Sequence, residues 1–512
     1  MSEFETPPGS GITVNLSLIS HTNAGKTTLA RTLLGRDVGE VRDAAHVTDL
    51  STGYVLVQSG EDTLMLWDTP GFGDTARLLS RLKLVGNPIG WFLTQVWDRW
   101  RERPLWSSQQ AVKNAREQAD VILYLVNAAE DPEAASYVRL EMEVLGWIGK
   151  PVIVLLNQMG PPREDVAGVI ARWSDIGGPG LVRSVLPLDA FARCWVQEVA
   201  LLDTIAPLLP PEKQPAMAEL GRRWEQLNRA RFHASMDVLA RYLLRAARDR
   251  ETSEEPGWQG KVVGALAGKS GGDRASRKAM AALAARLAES TAESTDELIR
   301  LHNLSGKAGR KVLERVSDDY AHQAPAPEGA AAALGGLVSG AVGGLAADVA
   351  AGGLTLGGGM IVGAILGAVG ATSVARGINL ARGDEESSVG WSSEFLERLT
   401  VTALLRYLAV AHFGRGRGEW SEGEHPQFWR PVVEGAVARS KGGLVRLLKP
   451  ASAASHANSG QRRELDTLLE DTGSAILERL YPRAKREVFV GSLLPQPQPG
   501  SEGSERGDAL RG

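Results

Sequence analysis

A short loop between a strand-like run and a helix-like run constrains the fold of this chain most strongly. The loop, residues 20–28, follows the apolar residues 14–19 and leads into residues 28–34, which have helical periodicity. A loop at such a junction can wrap a polyphosphate with its backbone N–H groups and with the positive end of the following helix. At these positions Lys26 would reach the β- and γ-phosphates, and the hydroxyl of Thr27 would bind Mg²⁺.

Three more strand-like runs place polar loops at the same edge of a predicted sheet. The usual phosphate-loop pattern is G-x-x-x-x-G-K-[ST], and Ser20 replaces its first glycine, so the loop alone is a moderate signal. The other runs end in Asp68-Thr69-Pro70-Gly71, Asn157-Gln158-Met159-Gly160 and Asp189-Ala190-Phe191. The alternation of strands and helices predicts a mostly parallel, doubly wound α/β sheet, at whose edge these loops converge. Asp68 is then in position for the Mg²⁺ side, and Gly71 for the γ-phosphate.

With these motifs, residues 10–208 resemble the small GTPases of the translation-factor-related P-loop class, especially the Era-like branch. That branch also carries an asparagine two residues before the Gly-Lys pair. The resemblance implies that the phosphates and Mg²⁺ are bound by Asn23, Ala24, Gly25, Lys26, Thr27, Thr28, Asp68 and Gly71. It implies that Thr48, in the first switch, reaches Mg²⁺ only when the triphosphate is present. It also implies that the guanine base is recognised by Asn157, Gln158 and Ala190.

Two departures from the family pattern concern the base and the chemistry. The base motif of the family is N-K-x-D, but Gly160 stands at the aspartate position and Gln158 at the lysine position. Loss of a polar group that reads guanine can remove orders of magnitude of discrimination, so GTP is the nucleotide implied by resemblance and ATP stays open. Phe72 stands where related enzymes carry the glutamine that orients water, which predicts slow hydrolysis. Another group, a partner's arginine, or K⁺ bound at Asn23 would then assist; His21 has no predicted role.

Composition restricts the partners and the compartment. The chain has 512 residues, 43% of them hydrophobic, and a net charge of −4, which gives no general attraction to a phosphate backbone. Nucleic acid is therefore an unlikely partner. Cys194 is the single cysteine, and residues 1–10 lack the pattern of a signal peptide. These features predict a cytoplasmic protein, with peripheral or integral attachment to the inner membrane left open.

A proline-rich segment, residues 209–215, marks the predicted boundary between the GTPase domain, residues 11–208, and a helical domain, residues 216–494. Residues 216–250 have helical periodicity with two slightly rotated apolar stripes. The first stripe contains Met217, Leu220, Trp224 and Leu227, and the second Phe232, Met236, Leu239 and Leu243. A second helix is predicted over residues 273–303. Residues 1–10 and 495–512 are predicted to be tails, the latter disordered.

Residues 329–375 contain a single charge, Asp348, and form a glycine-rich hydrophobic hairpin in the prediction. Small residues recur every four positions, as in helix pairs that approach closely in membranes. Contact with a membrane is one interpretation. Glycine and alanine are weak drivers of insertion and Asp348 would be costly in hydrocarbon, so a soluble hairpin inside the helical domain is the second. A self-association surface is the third.

Residues 188–195 and this hairpin resemble a bacterial family of GTPases with a C-terminal domain of unknown function of the DUF3482 type. Two functions follow. One is a slow GTPase that acts as a molecular switch and associates with a membrane. The other is a soluble GTP/GDP sensor with little catalysis that recruits a protein effector. A homodimer is a further possible partner arrangement.

Overall fold

The computed structural model describes thirteen segments of the chain, which are residues 11–22, 24–35, 51–73, 75–83, 102–158, 166–176, 180–188, 194–252, 274–304, 378–382, 387–412, 428–449 and 459–481. Several predictions lie outside these residues. They concern Asn23, Thr48, Gly160, Ala190, the hairpin 329–375 and both tails.

The N-terminal part is built on a six-stranded sheet. Its strands are β1 (Thr13–Ile19), β2 (Thr52–Ser59), β3 (Asp62–Asp68), β4 (Val121–Asn127), β5 (Val152–Asn157) and β6 (Val182–Pro187). The order is β2-β3-β1-β4-β5-β6, and every pair is parallel except β2 with β3. This confirms the predicted α/β fold. β5 is buried along its whole length, which explains why its sequence is an uninterrupted apolar run.

Helices cover the two faces of this sheet. They are α1 (Lys26–Leu34), α2 (Thr75–Leu82), α3 (Arg103–Glu117), α4 (Ser136–Ile148), α5 (Val166–Ser174) and α6 (Trp195–Ile205). One apolar core contains residues of α2, α3, α4 and α5, and the other contains residues of α1 and α6. Because side chains alternate along each strand, successive residues of β4 enter opposite cores.

The C-terminal part is mostly helical, as predicted. Its helices are α7 (Gln214–Arg248), α8 (Arg274–Leu301), α9 (Ser393–Ala411), α10 (Trp429–Leu447) and α11 (Ser459–Leu480). A small antiparallel sheet, which the sequence did not predict, accompanies them with the strand order β7-β9-β8. Its strands are β7 (Arg250–Thr252), β8 (Ile378–Arg382) and β9 (Ser387–Trp391). Three to five residues are too few to show a clear alternation.

Helix α7 takes part in two hydrophobic cores. Met217 and Leu220 pack with residues of the six-stranded sheet, whereas Phe232 and Met236 belong to the core of the helical part. The two predicted stripes thus face two different cores. Leu227 was assigned to the first stripe, but 41% of it is exposed because it lies on the outer side of the helix between the two contacts.

The residues just before α7 fix its first turn to the sheet. Lys213 Nζ donates to the carbonyl oxygen of Thr13 at 2.8 Å and pairs with Asp120 at 2.8 Å.

No helix within the described segments is both long enough and apolar enough to span a membrane.

Candidate functional site

The loop between β1 and α1 has the backbone that its glycine requires. Gly25 has φ 93°, in the left-handed region, and a Cβ at this position would lie 2.9 Å from Asn157 Nδ2. The amide of Asn157, which is fully buried, donates to the carbonyl oxygen of Ala24 at 2.9 Å. The loop after β5 therefore contacts the loop after β1, as their predicted convergence requires.

Lys26 lies at the centre of the site and is 7% exposed. Its Nζ donates to Ser20 Oγ at 2.8 Å and lies 3.5 Å from the carbonyl oxygen of His21. Burial lowers the pKa of Lys26 to about 8, while the carboxylates of Asp68 and Glu141 act in the opposite direction. The serine that replaces the usual first glycine therefore has a defined partner, the ammonium group of Lys26.

Thr27 and Asp68 form the second half of the site. Thr27 Oγ1 donates to Asp68 Oδ2 at 2.7 Å, and Asp68 is 1% exposed. Asp68 Oδ1 is buried and has no hydrogen-bond partner within the described residues. Burial raises the pKa of Asp68, and the hydrogen bond from Thr27 and the charge of Lys26 oppose this shift. Hydroxyl and carboxylate oxygens are ligands that Mg²⁺ prefers, so these residues fit that ion.

The loop after β3 lies directly against the phosphate loop. The N–H of Phe72 donates to the carbonyl oxygen of Ser20 at 2.9 Å, and the N–H and Oγ1 of Thr22 donate to the carbonyl oxygen of Phe72 at 3.2 and 2.7 Å. A Cβ at Gly71 would lie 2.8 Å from Thr22 Cα and 3.1 Å from Lys26 Nζ. Only glycine fits this approach without a shift of the backbone.

The side chain of Phe72 is fully buried in the core that contains Ile19 and Leu79. It therefore points away from solvent and has no group with which to orient water. Of the other predicted site residues, Thr28 is buried in α1, and Gln158 has φ 54° in the left-handed region directly after β5.

The sequence did not predict a buried carboxylate beneath the phosphate loop. Glu141 of α4 is fully buried, and His21 Nδ1 lies 2.7 Å from its Oε1. His21, which had no predicted role, thus has a specific partner. The available signal was a glutamate on the helix face that also contains the buried residues Val138, Met142 and Leu145.

Two family models match the chain. The model described as a domain of unknown function (DUF3482) matches residues 181–471, and the model described as a 50S ribosome-binding GTPase matches residues 15–158. No curated protein matches the chain.

Solved structures of Era and of NFeoB are similar to parts of the chain. Era in complex with MgGDPNP and nucleotides 1506–1542 of 16S ribosomal RNA is 21% identical, with a TM-score of 0.29, over 39% of this chain and 58% of that one. A variant of Aquifex aeolicus Era bound to GDP and AlF4⁻ is 23% identical, with a TM-score of 0.27, over 39% of this chain and 57% of that one. NFeoB from S. thermophilus bound to mGMPPNP is 14% identical, with a TM-score of 0.22, over 57% of this chain and 93% of that one. The match thus spans less than three-fifths of the length of each Era chain.

Proposed function

This chain belongs to the DUF3482 family and carries a P-loop GTPase domain ahead of that domain, and from this premise we propose that it is a GTP-binding switch that hydrolyses GTP slowly to GDP and phosphate. The observation that supports the proposal best is the contact between Thr27 and Asp68 beside the buried ammonium group of Lys26. This arrangement places the ammonium group of Lys26, which can bind phosphate, next to two oxygen atoms that can bind a metal ion.

In this proposal, Thr27 and Asp68 would hold Mg²⁺, and Asp68 Oδ1 is the buried acceptor that has no partner among the described residues. When bound, the ion would neutralise negative charge on the phosphates. The N–H groups at the start of α1 would bind phosphate oxygens, and Lys26 Nζ would donate to a phosphate oxygen instead of to Ser20 Oγ. Because phosphate is anionic, its binding would also favour the charged form of Lys26.

Slow turnover follows from the residue after Gly71. The buried phenyl ring of Phe72 has no polar atom, so water must be oriented by a group from elsewhere. The candidates are another group of this chain, a partner's arginine and K⁺ bound at Asn23, which lies outside the described residues. Thr48 and Ala190, which would complete the metal and base sites, also lie outside them.

Two outputs of such a switch are proposed. The first is membrane contact through residues 329–375, which the structure does not describe. The second is recruitment of a protein effector by the helical part, in which case the protein acts as a GTP/GDP sensor with little catalysis. The burial of Phe72 favours the sensor over an efficient hydrolase.

Equilibrium binding of a fluorescent GDP analogue with Mg²⁺, competed by GTP and by ATP, tests the nucleotide site. We expect GTP to compete far better than ATP, and Lys26→Ala to abolish binding because no other described group replaces its charge. Lys213→Ala is the control, since the ammonium group of Lys213 is part-buried and hydrogen-bonded but lies at the amino end of β1, beside Thr13. Equal competition by ATP would show that Gly160 removes guanine specificity, and unchanged binding by Lys26→Ala would contradict the proposed site.

A further inference from the structure

Glu141 receives three hydrogen bonds from three different elements. Its Oε1 accepts from His21 Nδ1 at 2.7 Å and from Thr75 Oγ1 at 3.1 Å. Its Oε2 accepts from Tyr124 OH at 2.6 Å. The side chain of Glu141 is fully inaccessible to solvent, and a buried carboxylate requires such donors because its desolvation is otherwise expensive.

Two of the three donors belong to the nucleotide site. His21 is the second residue of the phosphate loop, and its carbonyl oxygen lies 3.5 Å from Lys26 Nζ. Thr75 is the first residue of α2 and follows Gly71 by four positions. One oxygen of Glu141 therefore connects the loop that would hold the β-phosphate to the segment that would contact the γ-phosphate.

A second residue, Tyr137, also contacts the His21 ring. The ring of Tyr137 lies 4.3 Å from that of His21, and Tyr137 OH donates to Glu130 Oε2 at 2.7 Å. Burial, reinforced by the charge of Glu141, raises the pKa of Tyr124 well above its usual range, so Tyr124 stays protonated and donates. Tyr124 of β4 and Glu141 of α4 thus form the buried part of the network, and His21 and Thr75 are the two residues of the network that lie in the nucleotide site.

We propose that Glu141 is a positioning residue for nucleotide hydrolysis: by binding His21 and Thr75 it holds the phosphate loop and the start of α2 in the relative position that the triphosphate requires. This inference rests on the proposed function. Glu141 contacts neither nucleotide nor metal ion in this role, and acts through His21 and Thr75. It predicts a larger effect on GTP than on GDP, because only the triphosphate engages both loops at once.

Glu141→Gln, His21→Ala and the double variant test the proposal in the full-length protein. Glutamine has the shape of glutamate, and its amide can donate to Tyr124, but it lacks the charge that favours the donors at Oε1. The matched control is Glu198→Gln, because Glu198 is also a buried glutamate, 2% exposed, bound to Trp224 Nε1 on the opposite face of the sheet. Single-turnover hydrolysis of GTP and the dissociation constants of GDP and a non-hydrolysable GTP analogue are measured.

We expect Glu141→Gln and His21→Ala each to slow hydrolysis by roughly tenfold or more, as small displacements of reacting groups do. The affinity for the GTP analogue should fall by more than that for GDP. The double variant should be about as slow as the slower single variant, since both changes act on the same connection between Glu141 and His21. Glu198→Gln should leave the rate and both affinities within about twofold of wild type.

A structural role alone would lower the thermal unfolding midpoint and leave the rate per folded molecule unchanged, which would overturn the inference. Fully additive effects of the two changes would also overturn it, because they would show no connection between His21 and Glu141. His21 is about one-third exposed, so His21→Ala remains informative if Glu141→Gln folds poorly. A wild-type protein that binds no GTP would contradict the proposed function itself, whereas active wild type with unaffected variants would contradict this inference only.

Discussion

Arg406 is a single residue whose charge conflicts with its surroundings. It is fully buried in the helical part, where Nη2 donates to Ser294 Oγ at 2.9 Å and the guanidinium lies 4.7 Å from the ring centroid of Tyr242. Its Nε and Nη1 have no hydrogen-bond partner within the described residues. Within the part of the chain that the structure describes, no carboxylate forms an ion pair with Arg406, and a buried cation without a counter-charge is destabilising by several kcal/mol in typical proteins.

Replacing Arg406 by methionine is therefore expected to leave stability unchanged or to raise it. Methionine fills a similar volume without the desolvation of a charge, whereas Arg406→Ala leaves a cavity and should cost about 2 kcal/mol or more. Urea unfolding of both variants checks this expectation. If Arg406→Met is as unstable as Arg406→Ala, an anion neutralises Arg406 in the folded protein.

Motif spacing predicted residues that the structure brings together in the candidate site, and the geometry added Glu141 and its contact with His21. Lys26, Thr27 and Asp68 could be predicted because each follows a strand-like run at a spacing that the chemistry of phosphate and Mg²⁺ explains. Glu141 could not, since it lies 120 residues from His21 and 66 from Thr75 in sequence. Such contacts depend on how α4 packs against α2 and β4, which no local pattern contains.

At the scale of elements, the contact between α7 and α11 contains a cluster of charged groups. His233 Nδ1 lies 2.5 Å from Glu470 Oε1, and Arg462 pairs with Asp237 at 2.6 Å. Burial, reinforced by the charges of Glu470 and Asp237, raises the pKa of Asp466 from 3.8 to about 6. The hydrogen bond to Glu470 raises the pKa of His233.

These shifts predict that the contact between α7 and α11 weakens as pH rises. Folded Asp466 keeps its proton up to about pH 6, whereas the unfolded chain releases it near pH 3.8, so the free energy of unfolding falls between these values. The pKa of His233 is also raised, so protonated His233 contributes to the free energy of unfolding, and this contribution is lost as pH rises through that pKa.

Asp466→Asn is expected to remove part of this pH dependence and to stabilise the protein at pH 8, where the wild-type carboxylate is charged and part-buried. Urea unfolding at about pH 4.5 and pH 8 measures both effects. Asp471→Asn is the control, because Asp471 lies on the same helix but is exposed. If the free energy of unfolding changed equally with pH in wild type and in Asp466→Asn, Asp466 would not be a source of the pH dependence.

Elements were predictable where periodicity is long. The bounds of α7 and α8 agree with the predicted helices to within two residues at each end, and the four strand-like runs that precede the predicted site loops correspond to β1, β3, β5 and β6. The short strands β7, β8 and β9 were missed, since strands of three to five residues show no clear alternation and β7 finds its partner, β9, in a distant part of the chain.

At the scale of the whole molecule, α7 joins the two parts of the chain. Trp224 packs against both hydrophobic cores, and its Nε1 donates to Glu198 Oε2 at 2.9 Å. Gln226, just beyond it, is exposed. Helix α6 also connects the two parts, since Trp195, Val196 and Val199 lie in the core of the helical part and Leu201 and Leu202 in a core of the sheet. We therefore expect the two parts to unfold together, with the uninterrupted helix between residues 220 and 232 as one of the two connections.

Gln226→Pro tests this dependence. Proline removes a helical hydrogen bond and costs about 3 kcal/mol or more in a helix interior, whereas Gln226→Ala preserves the helix. We expect calorimetry to show one unfolding transition for wild type and Gln226→Ala, and two for Gln226→Pro. A single unshifted transition for Gln226→Pro would show that the contacts of α6, and not the continuity of α7, make the two parts unfold together.

The 35 residues of α7 make it about 52 Å long, and its first part packs on β2 and β3, the strand pair whose β3 ends at Asp68. Its second part, from Phe232 to Ala247, is buried in the core of the helical part, so that core would move together with the helix. A tilt of about 5° at Leu220 would displace Arg248, about 42 Å away, by nearly 4 Å. A small change in the angle between α7 and the six-stranded sheet would therefore become a displacement of about the width of a side chain at α8 and β7.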